Sequence, residues 1–236
     1  MIYLTGDTHG REFFKFKKQQ FPYWNQLGKE DYVIILGDFG LLWDNSKEEN
    51  FWLEVLSKKP WTTLFIDGNH ENHQMISKLP TVEMFGDEVG VVTDSIYHLR
   101  RGRVYTIEGK SIFTMGGALS IDKYHRILNK SWWAEELILP AEEALGHLNL
   151  KAVNYQVDYV LTHTCPAEIL TQFNIDPAKG LDPSSFVLTE FAKKLTFEHW
   201  YFGHLHYDKS IYQYDGISKF TCLYAKVIPI GTLLLQ

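Results

Sequence analysis

Two histidines one residue apart, His204 and His206, follow a glycine at the end of the apolar run Glu198-His199-Trp200-Tyr201-Phe202. If the chain stays extended there, both imidazoles point to one side, because strand side chains repeat every two residues. Four other apolar runs end in similar chemistry: Asp7 and His9, Asp38, Asn69 and His70, and His163. Taken singly, Asp7 and Asp38 read as helix N-caps, Asn69 as a turn residue and His163 as a hydrogen-bonded histidine. Five such ends in one chain are a different matter. The imidazoles of His163, His204 and His206 with two carboxylates and a carboxamide suit Mn, Fe, Ni, Co or Zn. An oxygen-only Ca or Mg site would need no imidazole. The donors outnumber what one ion uses, so two divalent ions sharing a carboxylate are expected.

For those ends to meet, the runs before them must be neighbouring strands. Residues 1–5, 31–36 and 61–66 are short apolar runs, each closed by a glycine-bounded polar turn. Helical patterns follow over 11–20, 46–57 and 71–78, the second with Ser46 and Glu49 spaced as a capping box and the third stopped before Pro80. This succession predicts an α/β chain with a parallel sheet and its polar residues at the carboxyl ends of the strands. The middle changes character: 96–100, 103–107 and 111–115 read as antiparallel strands joined by tight turns. Residues 120–150 read as a lid or insertion, with Trp132 and Trp133 and a helix from Pro140. Strands return at 157–161 and 198–202 around a helix at 184–195, and 209–214, 219–223 and 226–230 close the chain as antiparallel strands. The expectation is a single domain over 1–236, two sheets face to face with helices outside.

Hydrophobic residues make up 45% and charged residues 22% of the 236, so a sizeable core is available. The net charge of −6 argues against a broad nucleic-acid surface but not against a small phosphorylated substrate held by cations. No apolar run is long enough to span a membrane. Met1 leads straight into Ile2-Tyr3-Leu4 without a basic region and an apolar one, so the reading is cytoplasmic. Cys165 and Cys222 are then reduced thiols, Cys165 a small buried residue.

The order Asp-x-His, Gly-Asp, Gly-Asn-His-Glu, His, Gly-His-x-His, running from Gly6 to His206, resembles the signature of the calcineurin-like metallophosphoesterase superfamily. That resemblance implies a four-layer α-β-β-α sandwich of two mixed sheets flanked by helices, with a dinuclear site at the strand C-terminal ends. One ion would be held by Asp7, His9, Asp38 and His206, and the other by Asp38, Asn69, His163 and His204. His70 would contact the phosphoryl group or the leaving oxygen. The implied activity is hydrolysis of a phosphomonoester or phosphodiester by in-line attack of a metal-bridging hydroxide.

In the phosphoprotein-phosphatase branch the Gly-Asp motif continues to an Asp that orients the catalytic histidine and an Arg that grips phosphate. Here Leu41 and Leu42 stand in those places, which counts against a Ser/Thr protein phosphatase. Asp44, Asp67 and Glu71 are candidates to orient His70. A phosphate clamp could come from Arg11, Arg100, Arg101, Arg103 or Arg126, with His125 and Arg126 preferred. Two other readings are a nuclease of the same family and a protein-interaction scaffold that has lost its metals; the complete ligand set argues against the scaffold.

Overall fold

The computed structural model describes residues 1–10, 13–173, 175, 182–212 and 216–234. The strands are β1 (Ile2–Thr5), β2 (Tyr32–Leu36), β3 (Thr62–Ile66), β4 (Thr81–Met84), β5 (Asp87–Thr93), β6 (Ile96–Leu99), β7 (Arg103–Ile107), β8 (Lys110–Met115), β9 (Tyr159–Thr162), β10 (His199–Phe202), β11 (Lys209–Tyr212), β12 (Lys219–Cys222) and β13 (Ile228–Pro229). The helices are α1 (Lys47–Ser57), α2 (His73–Ile76), α3 (Pro140–Ala152), α4 (Ala167–Leu170) and α5 (Pro183–Ala192).

One sheet has the order β13-β1-β2-β3-β6-β5-β4, the other β11-β12-β10-β9-β8-β7. Strands β1, β2, β3 and β6 run parallel, as do β8, β9, β10 and β12. Antiparallel strands complete both edges of the first sheet, and both edges of the second. The near-continuous apolar character of the central strands follows from burial on both faces. Ile34, Leu36, Leu64 and Ile66 meet Ile112, Leu161 and Tyr201 between the sheets. The alternate residues Val33, Ile35 and Phe65 turn outward onto Phe16, Leu56 of α1 and Trp61. On the far side Val160, Trp200 and Phe202 pack under Leu150 of α3 and Leu188 and Phe191 of α5. Two mixed sheets flanked by helices are therefore the architecture.

Several expectations shift. Arg11 and Glu12, the start of the first expected helix, lie outside the described residues; beyond them the chain makes only a 3-10 turn, Phe13–Phe16. Lys15 fixes that turn, its buried ammonium donating to the carbonyls of Gly6, Asp7 and Tyr224. Ser46 caps α1 by accepting from Glu49 N–H, but the capping box is half made. The Glu49 carboxylate instead accepts from the N–H groups of Trp43, Asp44 and Asn45. The sequence reading does not include the β4–β5 hairpin, because β4 is an edge strand of four residues, exposed along most of its length, and the alternation Thr81-Val82-Glu83-Met84 is short. The closing strands also differ: β12 runs parallel to β10, and β13 leaves for the other sheet to pair with β1. Residues 213–215, where the expected strand 209–214 ends, lie outside the described residues. Trp133 is buried, as are Cys165 and Cys222, both free thiols. No helix among the described residues is long and apolar enough to cross a membrane.

His199 begins β10 buried, stacked on Tyr201 with Nε2 2.7 Å from Thr221 Oγ1. Burial, helped by Lys219, lowers its pKa to about 3 from the 6.5 of a free imidazole. The folded state holds it neutral while the unfolded chain protonates it. Its contribution is therefore full above pH 6.5 and falls as pH drops, by up to about 1.4 kcal/mol per unit. Urea unfolding of metal-free protein between pH 7 and pH 5 should show a shallower loss of stability for His199→Gln than for the wild type.

Candidate metal centre

Every donor named above sits just past the carboxyl end of a strand. Asp7 and His9 follow β1, Asp38 follows β2, Asn69 and His70 follow β3, His163 follows β9, and His204 and His206 follow β10. The strands β1-β2-β3 are neighbours in one sheet and β9-β10 in the other, so the face-to-face sheets bring five loops to one cleft. His206 Nε2 lies 2.9 Å from Asp7 Oδ2 and 3.2 Å from His9 Nε2. His163 Nε2 lies 3.3 Å from Asp38 Oδ1 and 3.1 Å from Asn69 Oδ1. His9 Nδ1 lies 3.9 Å from Asp38 Oδ2, joining the two groups. The His204 ring sits edge-on to His163, centroids 4.9 Å apart. All seven proposed metal donors are thus gathered in one place.

The loops are held by main-chain bonds. Thr8 N–H and His9 N–H donate to Asp38 O, and Gly10 N–H donates to Phe39 O. The carboxylates fix the loops in turn: Asp7 Oδ1 accepts from His204 N–H and Asp38 Oδ1 from His70 N–H. His9, Asp38, His204 and His206 all have positive φ, at 44°, 46°, 63° and 55°. That corrects the extended reading of the last two. In left-handed backbone they diverge, His204 turning to His163 and His206 to Asp7 and the face of Tyr224. Four such residues store strain of order 1–3 kcal/mol each, a cost met at functional sites.

Asp7 is fully buried and Asp38 nearly so. Burial pushes both carboxyls up, yet both end below the usual range: His206 and His163 pull Asp7 down, and His163, His70 and His9 pull Asp38 down. His163 shows the reciprocal effect, raised by Asp38 and Asp7 against the opposing pull of burial. His204 goes the other way, lowered to about 4 by burial and by His163. Asp7 Oδ2 has no partner beyond the His206 nitrogen beside it. Buried carboxylates and converging imidazole nitrogens suit divalent cations. Ligand atoms of Asp7, His9 and His206, and of Asp7, Asp38 and His163, lie within 4.8 Å of one another in each set.

His70 stands at the rim, its ring 5.3 Å from that of His9. None of the three acids expected to orient it does so. Asp44 accepts from Ser46 N–H, and Glu71 from Phe39 N–H and Gly40 N–H. Asp67 is taken by Arg101 and His98. The partner is Arg126, whose Nη2 lies 2.9 Å from His70 Nδ1 and donates to Asp122 Oδ2 at 2.7 Å. Burial lowers the His70 pKa, Asp38 opposing and Arg126 adding to the effect. His125 is exposed on the neighbouring turn. Arg100 and Arg103 pair with Glu88 and Asp87, and Arg101 with Asp67 and Glu142, away from the centre. Arg11 lies outside the described residues. Sequence reasoning missed Ser120, whose hydroxyl accepts from Asn69 Nδ2, and Glu136, which receives both Ser120 donors.

A family model described as calcineurin-like phosphoesterase matches residues 1–208. The chain belongs to that family, and is in class a phosphoester hydrolase. The family generally uses divalent metals, in keeping with the donors above. Among solved structures, the phosphopantetheinyl hydrolase PptH of Mycobacterium tuberculosis matches 94% of this chain and 89% of its own, at 15% identity and a TM-score of 0.40. None of the curated proteins matches this chain.

Gly37 has φ 87°, and a Cβ there would collide with the His163 ring. Gly37→Ala should lower the unfolding free energy by at least about 1–3 kcal/mol, read by urea denaturation, and weaken manganese binding in a titration of the same protein.

Proposed function

We propose that this chain is a dinuclear metal-dependent esterase, acting on a small phosphorylated compound in the cytoplasm. Asp7, His9, Asp38 and His206 would hold one ion and Asp38, Asn69, His163 and His204 the other, Asp38 bridging. The observation that carries this reading is the meeting of two buried carboxylates, four imidazoles and a carboxamide at five strand ends. When bound, two divalent cations of the Mn, Fe, Ni, Co or Zn kind would lower the pKa of the attacking water and offset charge on the phosphoryl oxygens.

The protein's own part is to aim and to move a proton. Water attacks phosphorus in line with the departing oxygen, and that oxygen leaves with a proton. Arg126 bears only donors and its Nη2 is nearer to His70 Nδ1, at 2.9 Å, than to Nε2, at 3.4 Å, which supports a lone pair on Nδ1 and a hydrogen on Nε2. His70 Nε2–H is then the group that donates to the leaving or phosphoryl oxygen. Arg126 doubles as a contact for substrate phosphate. Residues 120–150 serve as a cover over the cleft within one functional unit, a role supported by the reach of Ser120 to Asn69 and of Arg126 to His70.

The test is hydrolysis of p-nitrophenyl phosphate and its bis-ester by chelator-stripped protein reloaded with manganese or nickel. Cleavage of at least one and close to two ions per chain are expected; their rate ratio separates monoesterase from diesterase. Neither cleavage nor more than one ion would end the reading. His70→Ala should lower kcat by about 10²–10⁴-fold with metal content unchanged.

A further inference from the structure

Asn69 offers the proposed centre an amide, and an amide has two unlike ends. Its oxygen can bind a cation and its nitrogen cannot. Asn69 Oδ1 faces His163 Nε2 at 3.1 Å, on the side of the centre, and Nδ2 faces Ser120 Oγ at 3.0 Å. An amide nitrogen has no lone pair to accept with, so Nδ2 donates and Ser120 Oγ accepts. The hydroxyl's single hydrogen must go elsewhere. It goes to Glu136 Oε2, 2.6 Å away, while Ser120 N–H donates to Glu136 Oε1 at 2.9 Å. Two donors from one residue meet the two acceptor oxygens of one carboxylate. Asn69, Ser120 and Glu136 are all buried, so water does not substitute for a lost partner. Glu136 is itself anchored, its carbonyl accepting from Ala118 N–H at 3.0 Å and from Arg101 Nη2 at 3.4 Å.

We propose that Glu136 is a positioning residue for the metal centre: acting through Ser120, it fixes which end of the Asn69 amide faces the cation. The proposal rests on the reading of Asn69 as a metal ligand. The direction of the chain is its content. Against the upward push of burial, the two Ser120 donors favour the carboxylate form of Glu136, which has no hydrogen to give, so Ser120 donates outward and Asn69 donates to Ser120 and presents oxygen to the ion. Glu136→Gln keeps shape and reverses that order. The Gln oxygen has to stay with Ser120 N–H, and its NH2 then faces Ser120 Oγ. Ser120 now donates toward position 69, where the amide nitrogen cannot accept, and the amide turns its NH2 to the cation. An Asp at position 69 has an acceptor at both ends and escapes the conflict.

Calorimetric titration of chelator-stripped protein with manganese alone tests this, with thermal melting of the metal-free proteins as the check on folding. Glu136→Gln should weaken one of two bound ions by about 10–100-fold, the usual scale for a group behind a ligand. Ser120→Ala, which removes the relay, should weaken the same ion. The same Glu136→Gln change made in an Asn69→Asp background should cost no affinity. Wild-type binding in both Glu136→Gln and Ser120→Ala overturns the proposal. So does an equal loss in the Asn69→Asp background, because Glu136 would then serve packing alone. Fewer than two ions on the wild type itself would instead strike the dinuclear reading on which this depends.

Discussion

The fold is organised around the burial of two carboxylates. Asp7 and Asp38 are buried just past the ends of β1 and β2, beside the largely apolar face where the two sheets meet. Taking such charges out of water costs several kcal/mol each unless partners offset it. The chain meets that cost locally with backbone N–H groups from His204 and His70 and with the imidazoles of His163 and His206. The left-handed turns at four of the donors follow from the same need, since they aim N–H groups and side chains inward together. Burial and strain point in one direction: the centre suits cations.

A second layer of polar contacts steadies this centre from behind. Asp67, two residues before Asn69, grips Arg101 and His98 inside the protein. Arg101 reaches on to the carbonyls of Glu136 and Leu137 and to the Glu142 carboxylate in α3. The stretch from Ser120 to Glu136 is thus pinned at both ends to residues that flank the third strand end. Between those pins it brings Arg126 to His70. The Asn69 amide and His70 are thus both contacted by one segment.

The sequence was most readable where chemistry and strand ends coincide. Asp7, Asp38, Asn69, His163 and the histidine pair each follow an apolar run within a few residues, so a local window contains both the strand and its donor. The parallel core strands were readable for the same reason. What failed lacked a local signal. β4 is an exposed edge strand of four residues, too short for its alternation of Val82 and Met84 with polar residues to stand out. The His204–His206 turn was expected to be extended, and nothing in Gly203-His204-Leu205-His206 announces left-handed backbone at two non-glycine residues. Ser120 and Glu136 are 16 residues apart and act on a donor 51 residues away from Ser120. A serine on a loop and a glutamate in a short turn are ordinary until the fold unites them. Arg126 was preferred for phosphate, but its grip on His70 depends on the path of a segment without regular periodicity.

His9 and His206 touch across 197 positions of chain. Closing so long a loop is an entropic toll levied before that pair exists. Ions held at the proposed centre would favour the folded state, where these distant donors meet. By mass action, each such ion would deepen the native well by RT ln(1 + [L]/Kd), about 2.7 kcal/mol at a hundredfold excess over Kd. If the proposed centre binds transition metals, the longevity of this protein in a cell is tied to their free pool, and metal starvation would hand the chain to proteases.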